Sequence, residues 1–255
     1  MIKGMYAAAS AMITNLARQN VISHNLANID TPGFRMLLTA NENWRSTEAQ
    51  DLPQYPNSFG NRLLDYGAIG LGVETIEPVT DYAMGALRQT GEPLDVAVEG
   101  PGFFTIETPN GVRYTKDGRF LRDADNNLVT SEGYFVLDAA GERITLPEIG
   151  TLVIGTDGSI RADDNPPFAT LGLEAFADPR TELVGDLPNT YSAAAAPTGG
   201  DIGQVVQGYL EDSNVNPTLM MAQMVEVNRA YEAAQKLVQT QDELLGRVIS
   251  TLGRL

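Results

Sequence analysis

The single histidine and the absence of cysteine limit the chemistry open to this sequence. His24 is the one histidine among 255 residues, and there is no cysteine. Zinc sites and Cys–His dyads need more of these side chains than the chain contains. A Ser-His-Asp triad would have to recruit a serine close to His24. On this inventory we assign no catalytic residue, no metal ligand and no cofactor-binding residue.

One segment partly matches a calcium-binding loop. Asp123, Asp125 and Asn127 place oxygen-bearing side chains at the first, third and fifth positions of that pattern. Leu128 and Tyr134 stand where the pattern requires its turn glycine and its bidentate glutamate. We interpret the segment as a hairpin turn.

Two other patterns are weaker still. The glycines of residues 67–72 are in the wrong order for a dinucleotide-binding fingerprint, and a predicted strand follows them instead of a helix. Asp95 and Glu99 alternate with apolar residues, so we expect both carboxylates to face solvent from a strand. Neither pattern predicts a binding site.

Acidic side chains are concentrated in the middle of the chain. The formal net charge is −16. Residues 1–45 carry four basic and two acidic side chains and residues 211–255 carry four and six, so the intervening segment holds the whole net charge. An acidic surface repels phosphates, which argues against a nucleic-acid partner. The sequence also lacks the apolar run of about 18 residues that a membrane-spanning helix needs.

The clearest helix prediction is Asn216–Leu252. Asn216 can cap the first turn, Pro217 suits the first helical position, and Gly253 marks the end. A helix of this length measures roughly 50 Å, so it needs a partner helix. Its seam repeats at alternating steps of four and three residues, typical of a coiled coil, through Met220, Met224, Val227, Tyr231, Ala234, Val238, Gln241, Leu245, Val248 and Leu252.

Residues 2–28 are the candidate partner helix, which we expect to be retained and not cleaved as a signal peptide. Pro32 and Gly33 then predict a turn. The last helical turns are rich in polar side chains, including Asn20, Asn25 and Asn28. The predicted apolar stripe consists of Ile2, Met5, Ala9, Met12 and Leu16, with Tyr6, Ile13 and Ala17 beside it.

The middle of the chain predicts an all-β domain of many short strands. Short β-branched or aromatic runs alternate with Asn, Asp, Gly and Pro turn signals. The runs are Val73–Ile76, Leu94–Val98, Gly102–Ile106, Gly133–Leu137, Leu152–Ile154 and Ala169–Leu173, with a hairpin turn at Asp157-Gly158.

The fold class is therefore mixed α and β, with long N- and C-terminal helices forming a coiled-coil-like pair and a central all-β domain. Residues 193–200 are interpreted as a linker leading back to the last helix, and residues 35–70 as an extended or poorly ordered connector because they are rich in Asn, Gln, Pro and Ser. The predicted division of the chain is 1–34, 35–70, 71–200 and 201–255.

Three motifs in a fixed order resemble the flagellar basal-body rod proteins. Residues 25–34, Asn-Leu-Ala-Asn-Ile-Asp-Thr-Pro-Gly-Phe, are similar to the N-terminal signature of flagellar rod, hook and hook-associated axial proteins. Residues 95–104 and 114–120 resemble the central segment of the rod proteins. Residues 208–216 and 228–232 resemble their C-terminal motif. Within the family, the segment Gln-Asp-Glu-Leu-Leu-Gly that begins at position 241 looks closer to the proximal than to the distal rod protein.

The resemblance implies a structural subunit and not an enzyme. It would be exported through the flagellar type III apparatus and polymerised into the basal-body rod, outside the cytoplasmic membrane, where it transmits torque. Its implied partners are copies of itself, other rod subunits, adjoining hook-side axial proteins and the export apparatus. Paired terminal helices would form the inner coiled coil of the assembled tube, with the β domain turned outward.

The implied assembly residues are drawn from both ends of the chain. The N-terminal set is Met5, Met12, Leu16, Asn25, Leu26, Asn28, Pro32, Gly33 and Phe34. The C-terminal set is Asn214, Asn216, Met224, Val227, Arg229, Tyr231, Val238, Leu245, Val248 and Leu252.

Two alternatives remain open at this point. The chain could be a distal rod or hook-type axial protein, since the central motifs are shared. It could also be a secreted β-domain enzyme or a carbohydrate-binding module with helical ends. The last alternative requires a concave site with convergent polar groups.

Overall fold

The chain divides into two compact units. Unit 1 comprises Met1–His24, Leu37–Val79 and Pro217–Leu255, and unit 2 comprises Asn25–Met36 and Thr80–Asn216. The computed structural model describes residues 2–39, 41–44, 72–75, 78–148, 150–163, 165–187, 189–193, 197 and 199–252.

The described residues form helices and many short strands, as the sequence predicts. The helices are α1 (Ile2–Ala27), α2 (Pro179–Glu182) and α3 (Pro217–Leu252). The strands are β1 (Leu37–Leu38), β2 (Asn41–Trp44), β3 (Gly72–Thr75), β4 (Val79–Thr80), β5 (Leu87–Gln89), β6 (Val96–Glu99), β7 (Phe103–Thr108), β8 (Gly111–Thr115), β9 (Phe120–Arg122), β10 (Leu128–Thr130), β11 (Phe135–Val136), β12 (Leu152–Ile154), β13 (Ser159–Ala162), β14 (Ala169–Thr170), β15 (Leu173–Glu174), β16 (Leu183–Leu187), β17 (Thr190–Ala193), β18 (Gln204–Gln207) and β19 (Tyr209–Glu211).

Unit 1 is built on the two terminal helices, α1 and α3, which pack together. The predicted pair of long helices is thereby confirmed. Pro217 is the first residue of α3, because a fixed φ suits a position whose N–H has no partner inside the helix. Gly253, the predicted end signal, lies outside the described residues. No described helix is both long and apolar enough to cross a membrane.

The seam of α3 follows the predicted heptad spacing. Met220, Val227 and Ala234 are buried, each seven residues after the last. The intervening seam positions are partly buried: Met224, Tyr231, Val238, Gln241 and Leu245. The prediction is wrong at Val248, whose side chain is 40% exposed. Among the described side chains, the inner face of α3 therefore ends at Leu245, about two turns before the end of the helix.

The buried face of α1 differs from the predicted stripe. Ala8, Thr14 and Ile22 are buried. Leu16, placed in the stripe because of its size, is 50% exposed, and Ile13 is exposed as well. Small side chains let a helix approach its neighbours closely, so α1 turns alanine and threonine inward and leaves larger apolar groups outside.

The short strands of unit 1 lie in the region predicted as connector and first strand. β2 pairs with β3 in antiparallel register, Asn41 opposite Thr75 and Trp44 opposite Gly72. β1 pairs with β4. The predicted strand at Val73–Ile76 is confirmed through Thr75, and Ile76 lies outside the described residues. The predicted connector falls mostly on residues 45–71, which also lie outside them.

Unit 2 is organised around an antiparallel sheet in the order β16-β17-β8-β7-β11-β10-β9, with β15 also paired to β7. Smaller sheets are β12-β13-β14, β18-β6 and β19-β5. The predicted hairpin at Asp157-Gly158 joins β12 to β13, and Gly158 has φ +80°. A left-handed turn conformation of this kind favours glycine.

Alternation along β7 builds a hydrophobic cluster on each face of the sheet. Phe104 and Ile106 belong to one cluster, with Phe120 and Val136 among its members. Phe103 belongs to the other, with Tyr114, Phe176, Leu183 and Tyr191. Successive strand residues point to opposite faces, so one strand contributes to both cores.

The segment after β17 is not simply a linker leading to the last helix. β18 and β19 come first, and they pair with β6 and β5. The prediction counted Ala193 as linker, yet this residue ends β17. The error arose because β18 and β19 are short and are separated only by Gly208, whose φ is +76°. They return the chain to the sheet region before α3 begins.

Candidate functional site

A short segment after α1, residues 32–36, forms a strap across unit 2. The turn before it is closed by backbone hydrogen bonds from Asn28 N to Asn25 O and from Thr31 N to Asn28 O. Gly33 has φ +66°, and a Cβ there would lie 2.4 Å from the carbonyl carbon of Lys116. Only glycine fits this position, which confirms the predicted turn.

Backbone groups of the strap bond to residues far along the chain. Gly33 N donates to Glu211 O at 2.7 Å. Met36 N donates to Asn214 Oδ1 at 2.7 Å, and Asn189 Nδ2 donates to Pro32 O at 2.7 Å. The N-terminal motif and the C-terminal motif therefore meet in unit 2.

A buried ion pair lies at the centre of this meeting point. Arg35 Nη1 is 2.5 Å from Glu211 Oε1, and the two side chains are 2% and 1% exposed. The same carboxylate oxygen accepts a hydrogen bond from Gly85 N at 2.7 Å, and Arg35 Nη1 also donates to Ala83 O at 2.7 Å. Charges withdrawn this far from water are tolerated only when each compensates the other.

A second cation lies close to the pair. Lys116 is buried, and its Nζ donates to Gly100 O at 2.6 Å. The Nζ also stands 5.2 Å from the centre of the Phe103 ring. Burial lowers the pKa of Lys116 to about 8, against the opposing effect of the Glu211 charge. The strap thus lies over a region in which charged groups have lost much of their hydration.

Asp117, the next residue, shows the corresponding effect on an acid. Burial raises its pKa to about 6, although Arg119 N donates to its Oδ1. The Arg119 guanidinium is 3.7 Å from the other oxygen and is itself 44% exposed. Burial is the largest cause of both pKa shifts, so the shifts of Lys116 and Asp117 reflect packing and do not by themselves indicate catalysis.

The patterns considered for ligand chemistry have structural explanations. The Asp123 carboxylate accepts hydrogen bonds from the backbone N–H groups of Asp125 and Asn127, which confirms the hairpin turn. Asp95 is buried, contrary to the prediction. Its backbone lies between two other segments, since it forms a β-bridge with Arg119 and its carbonyl oxygen accepts a hydrogen bond from Gly208 N. Glu99 is exposed as expected. His24 is an exposed residue in the last turn of α1.

Unit 2 contains a cavity of about 250 Å³, which is a candidate for the concave site that an enzyme would need. One carboxylate, Asp201, lines it, and its Oδ1 accepts a hydrogen bond from Gly203 N at 3.1 Å. The lining residues are Pro101, Ala175, Phe176, Ala177, Gly199, Gly200 and Asp201. Catalytic sites bring several polar groups together, and this lining does not.

The structure brings some of the implied assembly residues together and leaves others apart. Pro32, Gly33 and Phe34 are buried within unit 2, and Asn214 bonds to the strap. Others lie on the helices. Asn25 and Val227 are buried; Leu26, Asn28, Met5, Met12, Met224, Tyr231, Val238 and Leu245 are partly buried; Leu16, Asn216, Arg229 and Val248 are exposed. The side chain of Leu252 lies outside the described residues.

Sequence reasoning missed the groups that hold the strap. Arg35 and Asn189 lie outside the strands and gave no signal. Glu211 ends a short strand, where a charge normally indicates a solvent-facing position. The pair is separated by 176 residues. The one available signal was that Glu211 lies in the motif of residues 208–216, next to the apolar Leu210.

The helices also carry large apolar residues that are between 40% and 69% exposed. On α1 these are Tyr6, Ile13 and Leu16. On α3 they are Leu219, Met221, Val225, Leu237, Leu244, Val248 and Ile249. Large apolar side chains exposed in this number are typical of surfaces that contact another molecule. We call these residues the exposed helix set.

Three family profiles match the chain in order. Residues 5–35 match "Flagella basal body rod protein". Residues 97–162 match "Flagellar hook protein FlgE/F/G D1 domain", and residues 206–251 match "Flagellar basal body rod FlgEFG protein C-terminal". The matched ends contain the two segments that the structure joins at the strap.

Similar proteins extend over the whole chain. A flagellar basal-body rod protein FlgF from Caulobacter vibrioides is 30% identical, covering 100% of both chains. Another, from Rhizobium meliloti, is 34% identical over 98% of each chain. A flagellar basal-body rod protein FlgG from Agrobacterium fabrum is 32% identical, covering 98% of this chain and 100% of that one. The chain therefore belongs to the flagellar basal-body rod protein family, whose members are structural subunits and not enzymes.

Proposed function

We propose that this chain polymerises through its terminal helices as an axial subunit of the basal-body rod. The observation that carries the proposal is the exposed helix set, which places large apolar side chains on both α1 and α3 of this chain. The chain's similarity to rod proteins supports the same proposal. Covering one such side chain contributes about 1.5–3 kcal/mol. Neighbouring subunits are the partners that would cover it.

The inner seam and the exposed helix set have different roles in this proposal. Seam residues such as Val227 and Ala234 pack within unit 1. Flanking residues such as Leu237 and Leu244 lie three positions after seam residues and remain exposed. Contacts on both sides of a 36-residue helix would join subunits into a continuous shaft able to transmit torque.

Location and delivery follow from the same proposal. The subunit would be exported by the flagellar type III apparatus and assembled outside the cytoplasmic membrane, beside other rod subunits and hook-side axial proteins. Residues 1–34 and 201–255 would carry the assembly contacts, 35–70 would connect, and 71–200 would form the β domain.

Within the family we favour the proximal over the distal rod protein, on the segment 241–246 and the modest length.

A matched pair of substitutions on α3 tests the assembly proposal. Leu237→Asp puts a charge in the exposed helix set, whereas Gln239→Asp puts the same charge on an exposed polar position two residues away. We expect Leu237→Asp to prevent incorporation into rods grown with partner subunits, and Gln239→Asp to incorporate as the unsubstituted chain does. Electron microscopy and sedimentation measure incorporation. Equal incorporation of the two variants would contradict the proposal.

A further inference from the structure

The strap is attached to unit 2 by groups that lie far from it in sequence. Its partners Asn189, Glu211 and Asn214 are 157 to 178 residues away. The strap can therefore dock only when the C-terminal part of unit 2 is already in place. Docking of the strap therefore depends on β19 and the residues that follow it being folded.

Glu211 is the group on which most of these contacts converge. Its carbonyl oxygen accepts from Gly33 N, and its side-chain Oε1 accepts from both Arg35 Nη1 and Gly85 N. Removing the negative charge leaves the Arg35 guanidinium buried without compensation, which costs far more than the loss of one hydrogen bond. The pair therefore determines whether the strap stays docked.

The two apolar clusters of unit 2 do not depend on the strap. Neither the cluster around Phe104 nor the cluster around Phe103 includes a residue of the strap. Phe34 is the buried aromatic side chain that the strap itself contributes. Opening of the strap therefore breaks the contacts of the strap itself, including those of buried Phe34, and not the contacts within either cluster. Local openings of this kind have lower free energies than global unfolding.

We propose that the strap is a latch that opens and closes in one step without unfolding the sheet, with Arg35 and Glu211 as the positioning pair that keeps it closed. When it opens, the hydrogen bonds of Gly33 and Met36 are lost together. The N-terminal signature is thus ordered only while the C-terminal motif holds it. The latch operates in the isolated chain and does not require assembly with other subunits.

Amide hydrogen exchange on the full-length isolated chain tests the latch. In the unsubstituted protein, the amides of Gly33 and Met36 should exchange through one common opening that depends weakly on denaturant. Reference amides within the sheet, Leu128 N and Leu137 N, bond to Ile144 O and Thr105 O and should exchange only through global unfolding. If all four amides exchanged with one free energy and one denaturant dependence, the latch would not exist as a separate step.

Substitution of Glu211 then tests the positioning pair. Glu211→Gln should raise exchange at Gly33 and Met36 by at least about 100-fold while leaving Leu128 and Leu137 within about threefold. The neighbouring ion pair Arg88–Asp212 is a matched control, since its side chains are 54% and 41% exposed. Asp212→Asn should change the strap amides by less than about fivefold.

A double substitution separates charge compensation from packing. Arg35→Gln combined with Glu211→Gln removes both charges and should return strap exchange at least tenfold toward the unsubstituted value. Additive effects of the two single substitutions would overturn the assignment of the pair, as would equal effects of Glu211→Gln and Asp212→Asn. If Glu211→Gln does not fold, the measurement on the unsubstituted chain alone decides whether the latch exists.

Discussion

Unit 2 contains a core of its own, whereas unit 1 presents much of its apolar surface to the outside. Phe103, Phe104 and Phe120 are almost completely buried within unit 2. The buried seam of α3 consists of widely spaced residues such as Met220 and Val227, beside an exposed apolar set. The difference teaches that the core of unit 2 is built from its own residues, whereas many large apolar side chains of the described helices stay exposed. We propose that neighbouring subunits supply contacts to these side chains.

The largest contrast should come from truncating the core of unit 2. Phe104 is fully buried and packs edge to face on Phe120, with ring centres 5.0 Å apart. We expect Phe104→Ala to lower the free energy of unfolding by about 3–5 kcal/mol, because it leaves a cavity. Denaturant unfolding followed by circular dichroism measures this. Leu237→Ala, on the exposed face of α3, should cost less than about 0.5 kcal/mol, and similar costs would remove the contrast.

The stability of unit 2 should depend on pH, because unit 2 contains charged groups that are buried away from water. This dependence sharpens the same contrast with unit 1. The pKa of Lys116 falls from 10.5 to about 8 on folding. Since the folded pKa is lowered, the stability contributed by neutral Lys116 is complete above pH 10.5 and is lost as the pH falls through 8. We compare the free energy of unfolding of Lys116→Met with that of the unsubstituted protein at each pH. We expect this difference to shift by about 3 kcal/mol in favour of Lys116→Met between pH 10.5 and pH 7. Unfolding curves of both proteins at several pH values check the difference, and a pH-independent difference would contradict it.

Placing a charge in the seam of α3 should affect assembly more than folding of the β unit. Leu245 is partly buried at a seam position. We expect Leu245→Asp to abolish incorporation into rods, because an uncompensated charge in a packed seam costs several kcal/mol. The near-ultraviolet circular dichroism of unit 2 should be unchanged. Loss of that signal would show that the two units fold as one.

The smallest effect on the isolated chain should be found at the exposed helix set. Ile249 is 68% exposed, so Ile249→Ala should alter the free energy of unfolding by less than about 0.5 kcal/mol. In the assembled rod the same substitution removes apolar contact, and we expect the concentration needed for assembly to rise about tenfold. Sedimentation at graded concentrations measures this threshold. An unchanged threshold would show that Ile249 stays exposed after assembly.

Local patterns were predictable wherever one strong signal dominated. The seam of α3 could be found because large apolar residues recur at heptad spacing over many turns. The hairpin at Asp157-Gly158 could be found because glycine suits the turn. In α1 the large residues misled, since Ala8 and Thr14 form the buried face and small side chains carry little hydrophobic signal.

Contacts between distant segments were not predictable. Nothing near Arg35 indicates that its partner is Glu211, and nothing near Pro32 indicates Asn189. Such pairs are fixed by the topology that returns β19 to β5 beside the strap. The burial of Asp95 was missed for the same reason, since its backbone bonds to Gly208, more than a hundred residues later in the chain.

The most direct test compares amide exchange of α3 in the isolated chain and in the assembled rod. The prediction is that amides over residues 225–249 exchange faster than the sheet amides in the isolated chain, because the helix pair is only partly covered there, and become strongly protected on assembly. Amides of the sheet, such as Leu128 and Leu137, should be protected equally in both states. Strong protection across residues 220–250 in the isolated chain would contradict the claim that the helices of unit 1 are completed by neighbouring subunits.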